Sequence, residues 1–252
     1  MIALPQSPRR ARPRPVTITK VLLVGGVVAP VWWVIMDVVG SLRYPGYSYV
    51  DQTISELSAQ GAPTRTFMLV LSGIPYTVLL LAFAAGVWRA AGARRAGRVT
   101  AALTAVEALW GFVGGIAFPM ATREVIAAGQ DTLRNQMHAW YGLGMPLLFA
   151  LVIGFGSRLL GKRFRYLSYA TLLTMLVFGL LMGLQTGAMT ANQPTPWMGV
   201  EERVTGYAPM LWFVVLAIGL VRAGAADSPH RPWRPVSAEP PRPSSPDYSR
   251  GG

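Results

Sequence analysis

Six apolar runs, each long enough or nearly long enough to cross a lipid bilayer, set the terms for anything this chain can fold into. About 20 mostly apolar residues cover a hydrocarbon core roughly 30 Å thick, and such runs lie at residues 21–40, 66–88, 99–119, 137–156, 167–187 and 204–221. Lipid offers no water to an unpaired backbone N–H or C=O, so each run is read as a helix that closes its own hydrogen bonds. The last run is the weakest, because its strongly apolar part begins only near Ala208. Its helix is expected to start earlier, in the polar stretch 201–207. Charge agrees: 13% of the residues are charged, against about 25% in soluble domains.

Arginine and lysine fix the expected orientation, because loops rich in them stay cytoplasmic. Residues 9–20, 89–98, 158–165 and 222–250 hold 18 of the 23 Lys and Arg, whereas Arg43, Arg65, Arg123, Arg134 and Arg203 fall on the other side. Both termini are therefore expected in the cytoplasm and the protein in the cell membrane. The first run is longer than the core of a cleaved signal, contains Asp37 and ends without a small-x-small site, so it is read as a retained span.

Residues 1–19 and 223–252 read as disordered basic tails around a membrane domain at 20–222; the second holds seven prolines and almost no large aliphatics. Its stretch Pro240-Pro241-Arg242-Pro243 also fits a polyproline ligand. The net charge of +12 raises nucleic acid as a partner, but the arginines sit in short clusters between apolar runs, not in one patch. No nucleic-acid partner is assigned. With no cysteine, disulfides, iron–sulfur clusters and thiol nucleophiles are excluded.

The first outer loop, 43–63, carries local signals of its own. Val50, Ile54 and Leu57 share one helix face, Ser48/Asp51 or Thr53/Glu56 supply a capping box, and Gly61 and Pro63 are stop signals. A short amphipathic helix on the outer surface is expected, with Tyr44, Tyr47 and Tyr49 at the membrane interface. The strings Tyr44-Pro45-Gly46-Tyr47-Ser48, Thr53-Ile54-Ser55-Glu56-Leu57-Ser58 and Gly61-Ala62-Pro63 resemble the signature between the first two helices of the domain of unknown function 998 family of bacterial and archaeal multi-pass membrane proteins. His138 and the pair Glu202-Arg203 fit the same pattern. The resemblance covers residues 20–222 and implies six helices in a membrane, with the reaction left open.

Ionisable groups inside a membrane are functional candidates by default. Glu107 lies eight residues into the third run, about 12 Å along the helix. It should be protonated or partnered; Ser72, Tyr76 and Thr174 are candidate partners. Gly111, Gly114 and Gly115 share its face, so another helix approaches closely there or a narrow cavity opens. Asp37, Glu56, His138, Gln185, Glu201, Glu202 and Arg203 gather at the outer end and make a candidate polar vestibule above Glu107.

Two functional readings follow, together with a bland third. In the first, an outward-facing pocket binds a small amphiphile, lipid or ion through Glu107, Asp37, Ser55, Gln185, Arg203 and Tyr76. In the second, an intramembrane, hydrolase-like enzyme uses His138 as base with Glu56 or Glu202 orienting it and Ser55 as candidate nucleophile, on an apolar or lipid-linked substrate. The third is a structural or accessory protein with no ligand. No Gly-x-Ser-x-Gly elbow and no His-Glu-x-x-His spacing is present, so no metal and no cofactor are assigned. The expected fold is an all-α six-transmembrane-helix bundle. The partners are the lipid bilayer and the amphiphile; oligomeric state is not assigned. Glycines 179, 183 and 187 are expected to pack the fifth helix against a neighbour.

Overall fold

The structure, a computed structural model, describes residues 15–226. The two expected tails lie largely outside these residues, as does the polyproline stretch. Helix α1 (Pro15–Arg43) is followed by the one-turn α2 (Ile54–Leu57), then α3 (Arg65–Phe67), which continues through a π turn (Met68–Gly73) into α4 (Ile74–Ala91). Next come α5 (Arg95–Ala117), short α6 (Arg123–Ala127), α7 (Leu133–Gly156), α8 (Lys162–Leu184), short α9 (Thr186–Thr190) and α10 (Met198–Ala226). Among the described residues six helical segments are long and apolar enough to cross a membrane: Ile18–Arg43, Arg65–Ala91, Arg95–Ala117, Leu133–Gly156, Lys162–Leu184 and Met198–Gly224. The protein is a multi-pass, all-α membrane protein. The sixth helix begins at Met198, ahead of its apolar run.

Alternation of the helices puts the start of α1, the end of α10 and the connections at 92–94 and 157–161 at one end of the bundle, here the terminal end. The connections at 44–64, 118–132 and 185–197 cover the other, the capped end. Helix α1 lies between α4 and α10, α4 packs on α5, α5 on α7, and α8 on α10. Small residues bring α1 and α4 together: a Cβ on Gly86 would lie 2.8 Å from the Leu23 nitrogen, and one on Gly25 would overlap the Leu79 carbonyl oxygen.

The apolar core sits in the terminal half. There Phe83, Val152, Ile153, Trp212, Phe213 and Leu216 are buried, with Phe83 edge-on to Phe213 and the Trp212 indole donating to Ser168 Oγ at 2.8 Å. A smaller core under the cap joins Ala59, Ala62 and Met120, with Tyr44, Ile126 and Met189 against it. The fully buried side chains of α7 and α8 lie in the terminal half. The buried residues of α7 are Phe149, Val152, Ile153 and Gly156, and those of α8 are Phe164, Ser168, Thr171 and Met175. Toward the capped end one face of each is open to lipid, with Leu143, Leu147, Leu180 and Leu184 exposed, while α7 keeps Tyr141 and Met145 against α5. This arrangement corrects the expectation for the glycine stripe of α8. A Cβ on Gly183 or Gly187 would meet nothing within 4 Å, and one on Gly179 would meet only the Thr205 methyl at 3.9 Å.

The π turn has a local cause. Pro75 has no N–H, so the Leu71 carbonyl four residues earlier loses its α-helical donor; it accepts from the Trp32 indole at 2.9 Å instead. The Ile74 N–H reaches back five residues to Leu69. One-turn π segments of this kind often mark functional positions, and this one holds Ser72, which is fully buried.

Candidate functional site

Two buried ion pairs organise the capped end. Asp37, near the end of α1, is 0% exposed and faces Arg203 of α10, 3% exposed. The Arg203 guanidinium donates to both Asp37 oxygens, at 2.8 and 3.0 Å, a two-pronged pair that also fixes the angle between the helices. Its remaining hydrogens go to the Tyr49, Gln52 and Gly199 carbonyls at 2.7, 3.1 and 3.0 Å and to the Tyr47 hydroxyl at 2.8 Å. The guanidinium carbon lies 3.6 Å from the Tyr49 ring centroid. Tyr207, one turn after Arg203, donates its hydroxyl to Asp37. Burial pushes the Tyr47 phenol up despite the neighbouring Arg203 charge, so Tyr47 keeps its proton and shares it between the Gln52 and Thr53 carbonyls at 2.9 and 2.7 Å.

The second pair joins the first and second loops of the cap. Arg123 of α6 donates to Glu56 at 2.6 and 2.9 Å and to Thr195 Oγ1 at 2.8 Å, and Thr195 in turn donates to the Asp51 carbonyl. Glu56 also accepts from the Gln52 amide and from the Thr53 backbone N–H, which is the carboxylate half of the expected capping box. Of the other expected box only one half forms, Asp51 N–H donating to Ser48 Oγ, because the Ser48 N–H goes to Gln52 Oε1 and no helix follows. Burial works to raise the Glu56 carboxyl, but hydrogen bonds from Arg123, Gln52 and Thr53 and the Arg123 charge outweigh it and hold the group below the usual carboxylate range. The amphipathic helix itself is a single turn, α2.

The other candidates at this end have their own partners. Glu202 accepts from the Ile54 N–H and, at 2.9 Å, from the Ser55 hydroxyl, placing a carboxylate at the start of α2. Gln185 donates to Glu201 at 2.6 Å. His138 bonds the Phe118 carbonyl through Nδ1 at 2.8 Å; a carbonyl only accepts, so Nδ1 carries the proton and closes the end of α5. The structure thus brings Ser55 to Glu202, Glu56 to Arg123 and Asp37 to Arg203. No hydrogen bond joins His138 to Ser55, Glu56 or Glu202 among the described residues. No cluster of three or more metal-ligating side chains occurs among them either.

Glu107 is different. It sits mid-way along α5, about 18 Å from Arg95 and about 15 Å from Ala117 along the axis, and is 1% exposed. Neither of its carboxyl oxygens has a hydrogen-bond partner. Tyr76 Oη and Ser72 Oγ, four residues apart on one face of the π turn and α4, are also buried and unbonded. The Tyr76 and Tyr141 phenols lie within electrostatic reach of Glu107. The glycine face of α5 admits α7 as a close neighbour: the Tyr141 ring packs on Gly114 and its hydroxyl donates to the Gly111 carbonyl at 2.9 Å, while Met145 faces Gly111. Burying an unpaired polar group costs several kcal/mol in an apolar medium, and three such groups share this level of the membrane.

Asp37, Arg203, Glu56, Glu107 and Tyr76 stand out in the sequence as candidates, and Ser72 only as a hydrogen-bond partner. Arg123, Thr195 and Tyr207 do not, and Tyr47, expected at the membrane interface, instead bonds Arg203. Arg123 carried a signal, being one of five cationic residues on the arginine-poor side. Tyr207 did too, standing one turn from Arg203 on the same face.

Compared with known proteins, residues 27–219 match the sequence model of a family described as "Protein of unknown function (DUF998)". No curated protein and no solved structure matches the chain.

Proposed function

We propose that this chain, which belongs to the DUF998 family, binds a membrane-borne amphiphile whose head group donates hydrogen bonds or carries positive charge, and that Glu107 is the group that holds it. The single observation behind this reading is the contrast between two sets of buried polar side chains. At the capped end the buried carboxylates Asp37, Glu56 and Glu202 have donors, whereas the Glu107 carboxyl, Tyr76 Oη and Ser72 Oγ have none. A donating head group at Glu107 satisfies the acceptor that the fold leaves over, with Tyr76 and Ser72 beside it. The capped end faces outward, with ten of the 15 Lys and Arg among the described residues at the terminal end, and the membrane is the cell membrane.

The hydrolase-like reading lacks comparable support, since Ser55 donates to Glu202 and His138 donates to Phe118. The test uses dicyclohexylcarbodiimide, which modifies carboxyl groups in apolar surroundings, with dodecylamine, dodecanol and dodecanoate as competitors. Mass spectrometry of the full chain should show one modification at Glu107, absent in Glu107→Gln, and dodecylamine should protect far better than dodecanoate. Equal protection by all three, or by none, refutes the reading.

A further inference from the structure

At the terminal end, α7 and α8 enclose a cavity of about 480 Å³ lined by Gly154, Ser157, Arg158, Arg165, Tyr169 and Leu172. We infer that this groove is a binding site for an anionic phospholipid, with the phosphate between Arg158 and Arg165 and the acyl chains running up the two helices. Neither guanidinium has a hydrogen bond or ion pair with another described residue, so among the described residues two positive charges line one cavity without a counter-charge. The Ser157 hydroxyl is already committed to the Gly154 carbonyl at 2.8 Å, which leaves the arginines and the Tyr169 phenol as the donors.

The order of residues along the helices matches the order of groups in a phospholipid. On α8, Arg165 is followed one turn on by Tyr169, then by Leu172 and Leu176. Arg158, in the connection just after α7, is preceded on that helix by Gly154, then Leu151 and Leu147. Leu147, Leu151 and Leu176 are exposed to lipid. From Arg165 to Leu172 is about 10 Å along the axis, enough to pass from the phosphate level into the hydrocarbon. Gly154 keeps the groove open, since a Cβ there would meet nothing within 4 Å. Basic pockets between membrane helices recognise phosphate-bearing head groups in this way.

The test is native mass spectrometry of the full chain in detergent with phosphatidylglycerol, phosphatidylcholine of the same chains, and inorganic phosphate. Wild type should bind phosphatidylglycerol at least tenfold more tightly than phosphatidylcholine, with no competition from inorganic phosphate. Arg158→Ala/Arg165→Ala should abolish the preference. Gly154→Trp, which fills the groove without changing charge, should lower phosphatidylglycerol binding as well. Arg94→Ala/Arg95→Ala, at the same end but outside the groove, should bind like wild type, as should Glu107→Gln, whose site is separate. Equal binding of the two lipids by wild type overturns the inference. So does undiminished binding by the groove variants, an equal loss in Arg94→Ala/Arg95→Ala, or displacement of the lipid by inorganic phosphate.

Discussion

Replacing Arg203 with Met tests whether the cap is held by its buried charges. The substitution keeps most of the side chain's volume and removes the guanidinium. Asp37 then keeps only the Tyr207 hydroxyl, and the Tyr49, Gln52 and Gly199 carbonyls lose a donor. Breaking a buried ion pair from one side costs about 3–5 kcal/mol. At about 2–4 °C per kcal/mol for a chain of this size, the melting temperature should fall by about 6–20 °C, read from tryptophan fluorescence in detergent. Arg203→Lys should recover only part of this, because an ammonium cannot make the paired bonds to both Asp37 oxygens. The double variant Asp37→Leu/Arg203→Met removes both charges and should be more stable than Arg203→Met alone. A loss below about 1 kcal/mol for Arg203→Met, or a double variant whose loss equals the sum of the two singles, refutes the reasoning.

Acidification should act through Glu56. Its carboxyl is held below the ordinary value of 4.5 in the folded chain, so its contribution is fully present above that value and is lost as pH falls through the folded one. Wild type should therefore lose thermal stability on acidification below about pH 4.5, and Glu56→Gln should show a shallower slope over the same range. Two glycines should respond oppositely to alanine. Gly86→Ala should destabilise by about 1–3 kcal/mol because α1 must move, whereas Gly183→Ala, with open space around it, should be neutral or stabilising by up to about 1 kcal/mol. Glu107→Met should raise stability by about 1–3 kcal/mol, since it removes a buried carboxyl with no donors; a drop in melting temperature counts against an unpartnered Glu107.

The spans were legible because lipid imposes one rule on every residue of a crossing helix, and hydropathy reports it. The start of α10 ahead of its apolar run was legible for the same reason, as its polar first turns sit in the cap. Pairing was not legible. Nothing local to Glu56 tells that its cation is Arg123 and not Arg203, because that choice depends on how three loops fold over one another. The glycines show the same limit from the other side. Gly25 and Gly86 look no different in sequence from Gly183, yet only the first two lie where helices cross. Glu107 was found because a carboxylate in a membrane stands out by itself, whatever surrounds it.

The bond between Asp37 and Arg203 spans 166 residues, from the first membrane helix to the last, and this sets an order of events during synthesis. At about 5–20 residues per second, roughly 8–33 s pass between the making of the acid and the making of its cation. Throughout that interval the nascent chain holds a carboxylate near the edge of the bilayer without its guanidinium, and the cap stays unsealed. Only a ribosome that has reached the start of α10 makes the residue that closes it. A truncated product leaves Asp37 unmatched and its loops loose, marks by which membrane proteases can tell it from the complete chain.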